Sequence, residues 1–196
     1  MGKIVFVGHS VVKGTDYGGV TRADTFGYKI GIANGYADSD IYIRGVGSET
    51  SAGLLARTQA DVIALAPDVC VAMTGANDWG TGVSVSTFKA NLLAFGQMVL
   101  ASGIKLVLIT DPMIRGDLNT FVGVNNYENA TRDVARALNC PVIDIYSRMC
   151  YNALCGSYTQ YYAGGTDVIH LSVLGHTWVA GIAAQASPQS VFKKVA

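Results

Sequence analysis

Three stretches of this chain are apolar without interruption: Ile4-Val5-Phe6-Val7, Val69-Cys70-Val71-Ala72-Met73 and Leu106-Val107-Leu108-Ile109. A strand with one wet face alternates apolar with polar residues. An unbroken run of β-branched and aliphatic residues suits a strand covered on both faces, as in a parallel sheet. These runs predict strands over residues 3–8, 68–75 and 104–110, and weaker runs predict two more over 40–44 and 141–146. Segments with helical spacing lie between them. Leu54, Leu55, Val62 and Leu65 share a face of a helix expected over 51–66. Phe88, Leu92, Phe95 and Val99 share a face of a second, capped by Ser84 or Ser86 and stopped by Gly103. Tyr127, Ala130, Val134 and Leu138 mark a third, and Leu174, Trp178 and Ile182 a C-terminal one. Tyr28, Ile32 and Tyr36 point to another after the first strand, although glycines interrupt it. Strand and helix alternate, which predicts an α/β fold with helices on both faces of a parallel sheet. No repeat or linker divides the 196 residues, so a single domain over 1–196 is expected.

Composition narrows the function. Only 14% of residues are charged, and 14 basic residues balance 14 acidic ones. A nucleic-acid binder carries a basic excess, which is lacking here, so no nucleic-acid partner is expected. No apolar run reaches the roughly 18 residues of a membrane span. The N-terminal apolar stretch is too short for a signal peptide, and no cleavage pattern follows it. A cytoplasmic protein and a component of a virion or secreted assembly both fit. The low charge fits a homo-oligomer interface or a surface of uncharged polar residues. The cysteines Cys70, Cys140, Cys150 and Cys155 form no CxxC pair. Cys70 reads as a core thiol. Cys150 and Cys155 read as free thiols, or as a bridge in an oxidising compartment. The histidines His9, His170 and His176 are the few candidates for acid–base chemistry near neutral pH. None is paired with a carboxylate at ligand spacing, so no metal is expected.

In an open parallel sheet, ligands sit outside the carboxyl ends of the strands. The loops expected there carry His9-Ser10, Gly47-Ser48-Glu49-Thr50, Gly75-Ala76-Asn77-Asp78-Trp79, and the segment from Asp167 through His170 to His176. That inventory suits nucleophilic acyl transfer. Each element also has a plainer reading. Ser10 could equally cap a helix. Asp167 and His170, three apart, could form a polar turn or could set a carboxylate against one imidazole nitrogen, leaving the other free. Asn77 could donate to an oxyanion or close an Asx turn. Gly47 and Ser48 could offer backbone N–H groups or simply turn the chain. Val12 stands where a GxSxG elbow requires glycine, which argues against the α/β-hydrolase arrangement.

These blocks, in this order, resemble the SGNH hydrolases of the broader GDSL esterase/lipase group. Ser10 in Gly-His-Ser matches the first block, Gly75-Ala76-Asn77-Asp78 the third, and Asp167-Val168-Ile169-His170, with the trailing Leu-Ser and Gly-His, the last. Order and spacing cover residues 4–184. The resemblance implies a flavodoxin-like, three-layer α/β/α sandwich with a five-stranded parallel sheet. It implies Ser10 as nucleophile, His170 as general base, Asp167 as its orienting partner, and an oxyanion hole from Ser10, the second block (Gly47 or Ser48) and Asn77, without a cofactor. Two positions depart from the family pattern. His9 replaces the family's usual aspartate, as a structural substitute or a substrate contact. The second block reads Gly47-Ser48-Glu49-Thr50 in place of Ser-Gly-Asp-Thr, which aligns the donor best with Ser48. His176 matches the trailing histidine and reads as a helix residue. Trp79 and the tyrosines Tyr151, Tyr158, Tyr161 and Tyr162 could stack on a sugar or pack within loops. No apolar lid is visible, which disfavours long-chain lipids. The expected activity is hydrolysis of a small ester, preferably O-deacetylation of a carbohydrate. The alternatives are a lysophospholipase or thioesterase activity, and a non-catalytic carbohydrate-binding or structural module on the same fold.

Overall fold

The computed structural model describes residues 2–114, 118–154, 156, 158–186 and 191–192. Five parallel strands run β1 (Ile4–Gly8), β2 (Ile41–Gly45), β3 (Val69–Met73), β4 (Lys105–Ile109) and β5 (Val142–Ile143), in the spatial order β2-β1-β3-β4-β5. Each apolar run has become a strand sealed on both sides, and β1 and β3 are buried along their whole length. The alternation of Cβ directions sorts their residues onto two faces. Ile4, Phe6, Val71, Met73, Val107, Ile109 and Ile143 build one core, and Val5, Val7, Cys70, Ala72, Leu106 and Leu108 build the other.

Helices cover both cores, giving three layers. The first core is closed by α1 (Ser10–Lys13), α2 (Phe26–Ala33), and, from later in the chain, the helices over Ile145–Leu154 and Val173–Ala186. The second is closed by α3 (Ser51–Ala56), α6 (Val85–Ala101), α7 (Leu118–Ala137) and the residues Val62, Ile63 and Leu65 that follow α4 (Thr58–Asp61). The short α5 (Ala76–Gly80) follows β3; the two later helices are α8 (Ile145–Leu154) and α9 (Val173–Ala186). Ser84 caps α6 by accepting the Thr87 N–H at 3.1 Å, and Gly103, with φ 76°, ends its last turn.

Four expectations are corrected. The helix expected over 51–66 is broken into α3, α4 and a 3₁₀ turn at Ile63–Leu65. Arg57 leaves helical geometry between α3 and α4, and the Thr58 hydroxyl donates back to the Leu54 and Leu55 carbonyls. The strand expected over 141–146 keeps only Val142–Ile143, because Ile145 and Tyr146 already belong to α8. In α2 the buried face is Phe26, Gly27, Ile30 and Gly31; Ile32 is exposed and Tyr36 lies beyond the helix end. In α9 Ile182 is buried and Trp178 packs on the core as expected, but Leu174 is exposed, and His176, Val179 and Ala183 complete the buried face.

β1 lies between β2 and β3, so the chain leaves β1 toward one edge and returns to its other side. That reversal opens a crevice at the carboxyl ends of β1 and β3. The loops carrying Ser10 and Asn77 begin there.

Candidate active site

Ser10 is the first residue of α1, directly after the end of β1. The turn between them depends on Gly8. Its φ is 142°, and a Cβ there would stand 1.9 Å from the Met73 carbonyl oxygen. Only glycine lets β1 and β3 end this close together and still release the chain toward Ser10.

The loop before α9 brings two more groups to Ser10. His170 Nε2 lies 2.9 Å from Ser10 Oγ, and His170 Nδ1 lies 2.9 Å from Asp167 Oδ2. The other carboxylate oxygen of Asp167 accepts the Ile169 N–H at 2.9 Å and the His170 N–H at 2.8 Å. The carboxylate is thereby fixed by the backbone of the loop it orients. Burial alone would raise the pKa of Asp167; the two backbone N–H donors and the ring more than offset this and hold it below the usual carboxylate range. The group therefore stays ionised through mildly acidic conditions.

Asn77 sits on α5, whose entry bends at Gly75 with φ 142°. Its side-chain Nδ2 donates to the Glu49 carbonyl at 2.9 Å, which ties α5 to the second-block loop and leaves its other N–H hydrogen free of that bond. That loop is in turn anchored by Arg57. The guanidinium holds Glu49 by Nε–Oε1 at 2.5 Å and Nη2–Oε2 at 2.6 Å, and Nη2 also reaches the Arg44 carbonyl at 2.9 Å. Gly47 and Ser48 are exposed at its tip, and Ser48 carries a left-handed φ of 57°. The positive φ falls on Ser48, so the departure from the family order places a side chain where glycine is usual. Asp78 is fully buried under the same loops, accepting Ser51 N–H at 2.8 Å and the Ser51 hydroxyl at 2.6 Å. Burial raises its pKa against those two bonds.

His9, next to Ser10, is buried in a hydrogen-bonded network. It is 1% exposed and uses both ring nitrogens: Nε2 lies 2.5 Å from Asp111 Oδ1, and Nδ1 accepts the Val11 N–H at 3.3 Å. Asp111 Oδ2 accepts the Ala76 N–H at 2.7 Å, and the Asp111 N–H donates to Glu128 Oε2 at 3.0 Å. One buried network therefore joins the ends of β1, β3 and β4. Burial, and then the charge on Asp111, push the Glu128 carboxyl well above its ordinary pKa. The sequence reading missed Asp111 and Glu128. Asp111 could have been found, since it follows a predicted strand at the ligand-binding edge; Glu128 lies mid-helix and carries no such signal.

Trp79 is half-buried, packed between the cores, with its indole against Gly123 of α7. Tyr162 is buried and donates its hydroxyl to the Met113 carbonyl, Tyr158 packs edge-on to Tyr162, and Tyr161 stacks on Trp178 at 4.8 Å. These three are packing residues. Tyr151 is exposed on α8. Cys150 is a free thiol, and Cys155 lies outside the described residues. Among the described residues no helix is long and apolar enough to cross a membrane.

His176 lies on α9, fully buried, with Nδ1 accepting the Phe26 N–H at 3.3 Å and Phe26 stacked on its ring. Burial, aided by Lys29 and opposed by Asp24, pushes its pKa down to about 4. The unfolded chain then binds a proton that the folded state refuses, so this residue's contribution to stability is lost as pH falls from about 6.5 toward 4. The loss should reach about 2 kcal/mol by pH 5. Urea midpoints at pH 7.5 and 5 should show it in the parent and a smaller difference in His176→Gln.

A strand-one serine, a second-block loop, a Gly-x-Asn-Asp turn and an Asp-x-x-His loop at one sheet edge define a class of acyl hydrolase. The chain belongs to the GDSL-like lipase/acylhydrolase family, whose model matches residues 6–178. Among solved structures it is similar to the acetyl xylan esterase AlAXEase, with 25% identity, TM-score 0.77, and coverage of 95% of this chain and 100% of the other. An acetylxylan esterase from Geobacillus stearothermophilus superposes with TM-score 0.77 at 20% identity, covering 94% and 93% of the two chains. A lipase/acylhydrolase from Enterococcus faecalis does so with TM-score 0.76 at 23%, covering 94% of each. No curated protein matches the chain in sequence.

Proposed function

We propose that the chain is a serine esterase that removes a small acyl group, an O-acetyl on a carbohydrate, through an acyl-Ser10 intermediate. The observation that carries this reading is the relay from Ser10 Oγ to His170 Nε2 and from His170 Nδ1 to Asp167, each step 2.9 Å. A non-catalytic module on this fold has no need to keep a serine, an imidazole and an ionised carboxylate in line.

In the proposed reaction, Ser10 Oγ attacks the ester carbonyl as its proton passes to His170 Nε2. Asp167 stabilises the imidazolium through Nδ1–H. The Ser10 N–H, the second-block N–H at Ser48 beside Gly47, and the Asn77 amide receive the oxyanion. The proton on His170 then goes to the leaving alcohol, and water repeats the sequence to release the acid. Support for an acetylated carbohydrate comes from the acetyl xylan esterases among the similar structures.

A serine-reactive phosphonate should label the folded protein at Ser10, and Ser10→Ala should abolish both labelling and aryl acetate turnover. Acetate release from a panel of acetylated glycans should exceed release of longer acyl chains. Absence of labelling, together with turnover unchanged in Ser10→Ala, would overturn the hydrolase reading.

A further inference from the structure

Tyr17 lies face to face with the imidazole of His170. The ring centroids are 3.3 Å apart and the planes differ by 6°. The two hydrogen bonds of His170 fix its ring within the plane; the tyrosine closes one side of that plane.

The segment that carries Tyr17 is built to hold it there. Residues 14–20 leave α1 through consecutive turns, in which the Tyr17 N–H donates to the Gly14 carbonyl at 3.3 Å and the Val20 N–H to the Tyr17 carbonyl at 3.0 Å. Val20 is buried. Gly18, with φ 57°, lies so close to Ala163 that a Cβ there would sit 3.0 Å from its methyl. The Ala163 N–H in turn donates to the His170 carbonyl at 2.8 Å. The segment therefore rests on the loop that presents His170. Tyr17 is itself only half-buried, so its place is not explained by filling a core.

We propose that Tyr17 is a positioning residue for His170. It blocks rotation of the ring out of the Ser10–Asp167 plane, and it lays an aromatic face against an imidazole that becomes cationic only as Ser10 gives up its proton. A ring quadrupole attracts that charge in the transition state and not in the resting enzyme, so the contact acts on kcat more than on KM. This rests on His170 as the general base.

The experiment compares Tyr17→Phe, Tyr17→Leu and Tyr17→Ala in the full chain, using aryl acetate kinetics, the rate of phosphonate labelling, and thermal melting. Phenylalanine keeps the aromatic face and should stay within about twofold of the parent. Leucine fills the space without a π face and should lower kcat and the labelling rate by about tenfold, with KM nearly unchanged. Alanine should fall at least as far; if it fails to fold, the Phe–Leu pair still decides. Equal kcat in the Phe and Leu variants would overturn the proposal, as would a rise in KM at constant kcat, which would make Tyr17 a wall of the substrate pocket. A parent that is unlabelled and inactive would instead reject the esterase reading itself.

Discussion

Asp167→Asn is expected to lower kcat for aryl acetates by about 10⁴-fold while leaving the protein folded. The reason lies in how the Asp167 loop spends its two oxygens. Oδ1 takes the Ile169 and His170 N–H groups, and an asparagine oxygen can do the same. The loop should therefore keep its shape, with a melting temperature near that of the parent. The remaining amide group would then present hydrogens to His170 Nδ1, where the carboxylate now accepts one. The ring would answer by carrying its proton on Nε2, the nitrogen that must receive the Ser10 proton. A base in the wrong tautomer cannot act, and no carboxylate is left to stabilise the imidazolium. Single-turnover acetate release, with circular dichroism as the check on folding, measures the effect. Folded Asp167→Asn that hydrolyses within tenfold of the parent would mean Asp167 is only a loop anchor.

The sequence made this much of the site legible because the relevant chemistry is local. Asp167 and His170 sit three apart, and the loops carrying Ser10 and Asn77 follow apolar runs whose burial on two faces could be read directly. The helix faces were less legible, for a reason visible in α2. Gly27 packs so closely on Phe6 and Ile43, and Gly31 on Ile41, that a Cβ would meet them at 2.6–2.8 Å. Half of the buried stripe is therefore glycine, which carries no hydrophobic signal, while Ile32 projects outward. In α9 Gly175 plays the same part against the Tyr161 carbonyl, and Leu174 is exposed. Where a helix approaches its neighbour by small side chains, a reading based on large apolar ones misplaces part of the buried face. Contacts across the fold were out of reach altogether. Nothing near Tyr17 announces His170, and nothing near His9 announces Asp111.

That last pair yields the second large effect. Restoring the family's usual residue by His9→Asp should destabilise this protein by about 3–5 kcal/mol at neutral pH, since the new carboxylate would face Asp111 where the His9 Nε2–H now donates. Asp111 cannot readily turn away, because its other oxygen holds the Ala76 N–H. Nor can Glu128 supply a counter-charge, being itself a carboxyl, whose pKa burial pushes up. Two carboxylates this close cannot both ionise, so one would hold a proton in the folded state that the unfolded chain releases. The folded pKa is then the higher one, and the deficit should shrink as pH falls toward 5 and grow above it. Asp111→Asn alone should also destabilise: with its oxygen on the Ala76 N–H, its amide would meet the proton-bearing Nε2 of His9. Combined with His9→Asp, however, that same amide becomes a donor to the new carboxylate. The double variant should therefore be more stable than the sum of the single losses predicts, with a favourable coupling of about 2 kcal/mol in urea unfolding. Additive losses would mean that His9 replaces the family aspartate by shape alone, and not by the Nε2–H donor it presents to Asp111.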